Sequence, residues 1–323
     1  MYYTIHHLTQ YRYSEPITEN VMEVRKQPLS DAIQTCLSFS LTTLPQAEIH
    51  DYIDGWQNRV HHFSIVRPHK RLEIVSQALV QVGEQPHPAP GEATLALWPA
   101  LQTEGRSLAM WDYLRPSHYV QFTPAMRTFA AEFHATTHEV DPFTLLSHIQ
   151  EAIYTRFEYE QDATRFDSPA EHVLETGAGV CQDFTHLMIG VARLAGIPAR
   201  YVSGYLFHRE GAHDRSTDDA SHAWVEAWLP GWGWVGFDPT NNLVVKRRHI
   251  RVAIGRDYAD VTPTRGVFTG QATSSLKVAV KVLAAEAPPT HLPAPTPSTW
   301  AMAEDEGESD ATAVLLQQQQ QQQ

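Results

Sequence analysis

The sequence predicts an α+β protein in which an N-terminal antiparallel β-sandwich domain, residues 1–83, precedes a second domain of mixed helices and strands. Three observations support this class. Short segments rich in aromatic and β-branched residues recur up to about residue 82, which is typical of a sandwich. A proline-rich stretch at residues 84–91 then separates the two parts. Beyond it, segments with helical periodicity lead into a hairpin at residues 221–239.

The N-terminal domain is predicted to have only a structural role. Its strands are expected at residues 2–6, 8–13, 38–42, 59–65 and 71–80. Residues 14–16, which include Pro16, are expected to form a turn, and Asp54-Gly55 is a second turn signal. No residue of this domain is predicted to take part in chemistry.

The second domain is assigned to residues 107–282, after a linker at 84–106. Two helices are expected early in it, one beginning at Pro124 and a longer one capped by Asp141 with proline in its first turn. Residues 276–282 alternate as a strand would. The remaining residues, 283–323, are rich in proline and acidic residues and end in glutamines, which predicts disorder.

Composition narrows the class of function. The net charge of −13 argues against nucleic-acid binding, and no apolar run is long enough to cross a membrane, so neither partner is expected. Two cysteines in 323 residues give no disulfide framework and favour the cytoplasm. No metal-ligand spacing is found among the histidines, and no cofactor is expected. The oligomeric state stays open.

The most informative segment is a cysteine at a predicted helix start. Gly177 and Gly179 precede Cys181, and apolar residues recur at helical spacing from Phe184 until Gly196 ends the helix. Unpaired N–H groups and the helix dipole at this end favour a thiolate. A buried cysteine with no chemical role is the commoner case, so the residue needs a partner elsewhere.

The hairpin supplies that partner. If its turn centres on Pro230, paired residue numbers sum to 460, and His222 lies opposite Asp238. A one-residue shift would place the two diagonally. An aspartate on Nδ1 would orient the imidazole so that Nε2 accepts the thiol proton. Each residue alone has a structural explanation, as an edge-strand histidine and a turn former. Together with Cys181 they form a candidate catalytic triad.

These segments resemble the bacterial transglutaminase-like family, which includes cysteine proteases. The likeness rests on residues 179–188, 194–205, 221–226 and 237–241 and on the order Cys, His, Asp, and the first 80 residues are similar to that family's N-terminal β-domain. The resemblance implies a papain-like transglutaminase core and a thioester intermediate on Cys181. It also implies an oxyanion hole formed by the Cys181 backbone N–H, with Tyr159 and Gln182 as side-chain candidates. Nothing resembling a calcium site accompanies it.

Several functions remain open. The first is a thiol-dependent hydrolase or acyltransferase acting on peptide or isopeptide amides, with hydrolysis favoured because water is always present. An amine-accepting transglutaminase and a catalytically idle peptide-binding module are the alternatives. A redox sensor would need a resolving cysteine, and Cys36 lies in a different predicted domain.

Overall fold

The computed structural model describes residues 1–89, 91–160, 169–209, 211–217 and 220–287. These residues form two compact units. The first contains Met1–Gly83 and the described chain from Pro263 onward, and the second contains Glu84–Thr217 and His222–Thr262. Each unit contains an antiparallel sheet, and the second adds helices, which confirms the predicted α+β class.

The elements follow one another along the chain as follows. The first unit opens with β1 (Tyr2–Val24), β2 (Gln34–Leu44), β3 (His50–Ile53), β4 (Arg59–Ile65) and β5 (His69–Val82). The second unit begins with α1 (Leu97–Glu104), α2 (Leu108–Trp111), α3 (Pro124–Ala131), α4 (Pro142–Arg156), β6 (Glu158–Tyr159), α5 (His172–Thr176) and β7 (Ala178–Gly179). It continues with α6 (Cys181–Leu194), β8 (Ala199–Leu206), β9 (His222–Leu229), β10 (Gly233–Asp238), β11 (Leu243–Val244), β12 (His249–Gly255) and α7 (Tyr258–Val261). Strands β13 (Thr264–Thr269) and β14 (Ser274–Ala285) complete the first unit.

The turn predicted at residues 14–16 is wrong, because β1 runs through it as one long strand. Its register with β5 shifts between Arg12 and Ile17, and beyond the shift β1 pairs with β4 and β13. Pro16 lies inside this irregularity, where a missing N–H removes no regular ladder hydrogen bond. The proline therefore marks a change of strand partner and not a reversal of the chain.

The last two strands differ from the expected domain assignment, which placed residues up to 282 in the second domain. Both β13 and β14 pair with β1 in the first unit. Leu276 lies opposite Tyr11 and is fully buried in that unit's core. Alternation in the sequence predicted the strand, but alternation does not specify which sheet a strand joins. Residues 283–285, which were expected in a disordered tail, belong to β14, and the predicted tail from residue 288 onward lies outside the described residues.

The linker expected at residues 84–106 contains a packed helix. In α1, Trp98 and Leu101 are buried in the core of the second unit. The Trp98 indole donates to the carbonyl of Val140 at 2.9 Å and stacks on His138 with ring centroids 3.8 Å apart. Two apolar residues three positions apart form one helical face, a weak signal that the prolines before it obscured.

The second unit is arranged around α6. Its five antiparallel strands lie in the order β11-β10-β9-β8-β12, and α6 packs against β8 and β9 with α3 and α4 on it. As predicted, Asp141 caps α4 by accepting from the N–H groups of Phe143 and Thr144, and Gly196 follows α6 with φ of 82°. Among the residues that the structure describes, no helix is long and apolar enough to cross a membrane. The cytoplasmic location stays a prediction.

A buried lysine in the first unit provides a test of this fold. Lys26 is 2% exposed and its ammonium contacts the Thr9 hydroxyl, which lies 3.3 Å from His7 Nε2. Burial lowers the pKa of Lys26 to about 7. The same side chain in the unfolded protein keeps its proton up to about pH 10. Between these values the unfolded state holds more protons, so the free energy of unfolding must rise with pH.

We therefore expect Lys26→Met to raise the free energy of unfolding at pH 7 by about 1–3 kcal/mol, since it removes the cost of holding an amine in the core. The variant should also lose the rise in stability between pH 7 and pH 10. Urea denaturation at several pH values measures both effects. Lys70→Met, at an exposed position, is the control. Parallel stability curves for the wild type and Lys26→Met would show that the amine is not desolvated.

Candidate active site

Cys181 lies at the N-terminus of α6, where a short parallel pair of strands delivers the chain. Tyr159 of β6 pairs with Gly179 of β7, two residues before the cysteine. The helix start is held by Asp183, whose carboxylate accepts from the Val180 N–H at 2.9 Å. Cys181 itself is only partly buried. This agrees with the helix start that the sequence predicts.

In the hairpin, the sum of the paired residue numbers is larger by two than the sum expected. Paired residues sum to 462, as in Phe237 with Val225, because the turn centres on Gly231 and not on Pro230. Asp238 is consequently diagonal to His222, on the same face of the sheet. The side chains still meet: His222 Nε2 lies 2.8 Å from Asp238 Oδ2. A diagonal arrangement within reach is what the one-residue shift in the turn predicts.

The two imidazole nitrogens of His222 have the reverse of the roles expected from the sequence. Asp238 contacts Nε2 of His222, whereas the sequence predicts the carboxylate on Nδ1. An ionised carboxylate only accepts, so Nε2 carries the donated proton. Nδ1 is then the nitrogen left for Cys181, whose thiol contributes to raising the pKa of His222.

Asp238 accepts from more donors than a triad requires. Its Oδ2 also lies 3.1 Å from His249 Nε2 and 2.8 Å from the Asn241 amide nitrogen. Its Oδ1 accepts from the backbone N–H groups of Thr240 and Asn241 at 3.1 and 3.2 Å. Every one of these groups is buried. The carboxylate is thus fixed in orientation from both oxygens.

Sequence reasoning missed His249 and Asn241. Asn241 follows Asp238 closely enough to be suspected as an anchor for it. His249 has no such signal, because only the pairing of β12 with β8 brings it to the site. Histidine spacing along the chain does not predict a contact that a sheet creates.

The charges of the site are strongly coupled. Burial by itself lowers the pKa of His222, but the charge and hydrogen bond of Asp238, with a smaller contribution from Cys181, raise it well above the ordinary value. Burial raises the pKa of Asp238, and His222 and His249 reverse this and hold it well below the usual range. Burial lowers the pKa of His249. The site therefore favours a protonated His222, an ionised Asp238 and a neutral His249 at neutral pH.

His249 is expected to affect the reaction rate through its hydrogen bond to Asp238 and to take no direct part in the reaction. As a neutral donor to Asp238 it shares the carboxylate with His222, so its loss removes one hydrogen bond to a charge. We expect His249→Gln to lower kcat on an amide substrate by about tenfold, the scale of one such bond. Steady-state kinetics measure this. His118→Gln, a substitution outside the Asp238 cluster, is the control. A loss as large as that of the triad variants would give His249 a direct part in the reaction.

The same three side chains could in principle hold a metal ion. Donor atoms of His222, Asp238 and His249 all lie within 4.8 Å of one another, a cluster that the spacing of the histidines in the sequence does not predict. Both Nε2 atoms, however, point at the same Asp238 oxygen at hydrogen-bond distance, and Asn241 donates to it as well. The arrangement fits a hydrogen-bonded network.

The two oxyanion candidates lie on either side of the cysteine in the chain. Tyr159 is partly buried and its ring meets Phe184 edge-on with centroids 6.4 Å apart. Gln182 is partly buried in the first turn of α6. Both positions adjoin the start of α6, and their role as donors to a developing oxyanion stays a prediction.

Comparison with known proteins defines the family. Residues 127–239 match the transglutaminase-like superfamily, and residues 3–81 match the bacterial transglutaminase-like N-terminal region. An uncharacterized protein of Mycobacterium leprae is 33% identical over 277 residues, which cover 85% of this chain and 96% of that protein. The chain belongs to the transglutaminase-like superfamily, as a member with the bacterial N-terminal region.

Two further matches are informative. A candidate cysteine protease from Cytophaga hutchinsonii, known from its crystal structure, has the same fold with a TM-score of 0.68 over 90% of this chain and 94% of its own, at 24% identity. A protein-glutamine gamma-glutamyltransferase of Pseudomonas aeruginosa is 34% identical over 106 residues, covering 30% of this chain and 16% of that protein. The first likeness concerns the fold, and the second is confined to a short segment.

Proposed function

We propose that this protein is a thiol enzyme that cleaves peptide or isopeptide amides through a thioester on Cys181, with water as the usual acceptor. The observation that carries the proposal is the buried hydrogen bond of 2.8 Å between His222 and Asp238, in a site where Cys181 is partly accessible and influences the pKa of His222. Membership of the transglutaminase-like superfamily supports it. The cytoplasm is the proposed location.

In the first half of the reaction, the Cys181 thiolate attacks the amide carbonyl carbon and the C–N bond breaks. His222, protonated at Nδ1, gives that proton to the departing amine. The backbone N–H at the start of α6 stabilises the oxyanion, with Tyr159 or Gln182 as a second donor. Asp238 holds Nε2–H throughout, so the imidazole keeps its orientation and its charge is stabilised.

In the second half, His222 is neutral and accepts a proton from water as the water oxygen attacks the thioester. The C–S bond breaks, the carboxylic acid leaves, and the thiolate–imidazolium pair returns. An amine that enters in place of water would give a transferred amide. This second acceptor is favoured by the local likeness to a gamma-glutamyltransferase, so transglutamination is the alternative proposal.

The experiment offers peptide amides to the wild-type protein with and without a primary amine and identifies the products by mass spectrometry. Free acid as the main product with amine present supports hydrolysis, and an amine adduct as the main product supports transfer. Absence of both products over a broad library, together with measurable peptide binding, would favour the idle binding module.

A redox role has less support. Burial raises the pKa of the Cys36 thiol to about 11, and its Sγ lies 3.4 Å from the Ser38 carbonyl oxygen. A thiol that stays protonated at neutral pH is a poor resolving nucleophile.

A further inference from the structure

The second unit contains a basic cavity that the proposed chemistry does not use. It has a volume of about 640 Å³ and is lined in part by Arg209, Lys246, Arg247 and Arg248. A smaller cavity of about 310 Å³ shares Lys246 and Arg248 with it. Both volumes lie in the range of small-ligand pockets, about 300–1,000 Å³.

Its charge is opposite to that of the protein. Glu84 is the acidic residue among the described lining. The described lining therefore has four cations and one acid, in a chain whose net charge is −13. Cations gathered in a concave site attract and hold anions.

Two of the cations are already engaged and two are not. Arg248 makes two contacts with Asp214 at 2.7 and 3.1 Å, and Arg247 pairs with Glu84 at 2.9 Å. Arg209 and Lys246 are exposed and have no acidic partner within the described part of the chain. These two side chains are available to bind an anion from outside.

The chain at Lys246 is held in place by its neighbour. Val245 is buried, its N–H donates to the Gly236 carbonyl at 2.9 Å, and its side chain packs with Val202 and Trp224. A cation that follows a fixed residue loses less conformational entropy on binding than one on a free loop.

The smaller cavity adjoins the hydrogen-bond network around Asp238. The smaller one is lined by Asn242 and His249 as well as by the shared cations. His249 Nε2 lies 3.1 Å from the carboxylate of Asp238, and Asn242 adjoins Asn241, another donor to it. One end of the basic surface is thus a single hydrogen bond from Asp238.

We infer that this basic cavity binds the carboxylate side chains of an acidic peptide, so that the enzyme prefers amide substrates rich in glutamate or aspartate near the cleaved bond. The inference rests on the proposed function, because a peptide amidase meets anions chiefly as these carboxylates. Arginine matches a carboxylate with two parallel hydrogen bonds, and lysine adds a point charge.

The test measures binding without turnover. The full-length Cys181→Ala protein is titrated against two fluorescent hexapeptides that differ only in carrying glutamates or glutamines. The glutamate peptide is expected to bind about tenfold more tightly at low salt, and the difference should shrink as salt screens the charges. Equal binding of both peptides overturns the inference.

Matched variants locate the effect. Arg209→Gln with Lys246→Gln should abolish the preference for the glutamate peptide, whereas Lys70→Gln with Arg265→Gln, which removes two exposed cations from the first unit, should keep it. A preference that survives the first pair places the anion elsewhere and contradicts the proposal. All four side chains are exposed, so folding is preserved, and thermal melting checks this.

The outcome separates the two proposals. If the glutamate preference is found but wild-type protein cleaves neither these peptides nor any member of a broad amide library, the proposed reaction fails and the cavity stands. If neutral amides are cleaved and no charge preference is found, the reaction stands and the cavity assignment fails.

Discussion

Cys181→Ala is expected to lower kcat on any accepted amide by about 10⁴-fold or more, the scale seen when a triad nucleophile is removed. The residual rate would come from binding and the oxyanion donors alone. The reason is chemical: without Sγ no thioester forms, and water must attack an amide directly. Binding should change little, since alanine removes one atom from a partly exposed position.

The control for this prediction is the second cysteine. Cys36→Ala removes a thiol from a strand of the first unit whose pKa burial raises to about 11. It should leave kcat unchanged. Steady-state kinetics of both purified variants, with melting curves to confirm folding, measure the effect. Retained activity in Cys181→Ala would exclude this cysteine as nucleophile.

Asp238→Asn is expected to lower kcat by about 10³- to 10⁴-fold, because an amide neither stabilises the His222 imidazolium nor enforces its tautomer. It also removes the acceptor shared by His222, His249 and Asn241. Breaking a buried pair in this way costs about 3–5 kcal/mol of stability. The pKa of His222 should fall toward its ordinary value. Kinetics at several pH values would show this as a shift of the pH–rate profile.

The pH dependence of this stability loss follows from the directions of the two pKa shifts. The raised pKa of His222 contributes stability that is present below about pH 6.5 and is lost as pH rises through the folded-state value. The lowered pKa of Asp238 contributes stability that is present above about pH 3.8 and is lost as pH falls. The difference between wild type and Asp238→Asn should therefore be largest between about pH 4 and 6.5 and decrease on both sides.

A matched control separates stability from chemistry. Asp260→Asn breaks an ion pair with Arg256, whose atoms lie 2.9 Å apart, in the same unit. It should lower the melting temperature slightly and leave kcat intact. An Asp238→Asn protein with normal kcat would show that the carboxylate is structural only.

The sequence predicts those structural features that depend on interactions between residues close together in the chain. The helix at Cys181, the Asp141 cap and the hairpin after His222 all depend on residues within a few positions of one another, and all three are present. The hairpin's register is less accessible, because Pro230 and Gly231 allow turns centred on either residue. When the sum of the paired residue numbers changes by two, His222 and Asp238 still lie on the same face of the sheet.

Contacts between distant segments are what the sequence does not disclose. Strand β14, which lies far from β1 in the sequence, pairs with β1, and the alternation of apolar and polar residues does not show which strand is its partner. His249 reaches Asp238 only because β12 adds to the sheet beside β8. Three of the four cations of the basic cavity, Lys246, Arg247 and Arg248, are consecutive in the sequence, but only contacts between distant segments bring them together with Arg209 and Glu84.

The most direct test of the central claim is the rate at which iodoacetamide alkylates Cys181 as a function of pH, followed by peptide mapping. If His222 and Cys181 form a thiolate–imidazolium pair, wild-type protein should react nearly as fast at pH 6 as at pH 9, and His222→Ala should react much more slowly at pH 6. Wild-type and His222→Ala proteins with the same steep rise toward alkaline pH would contradict the account, because no pair would then exist in the free enzyme.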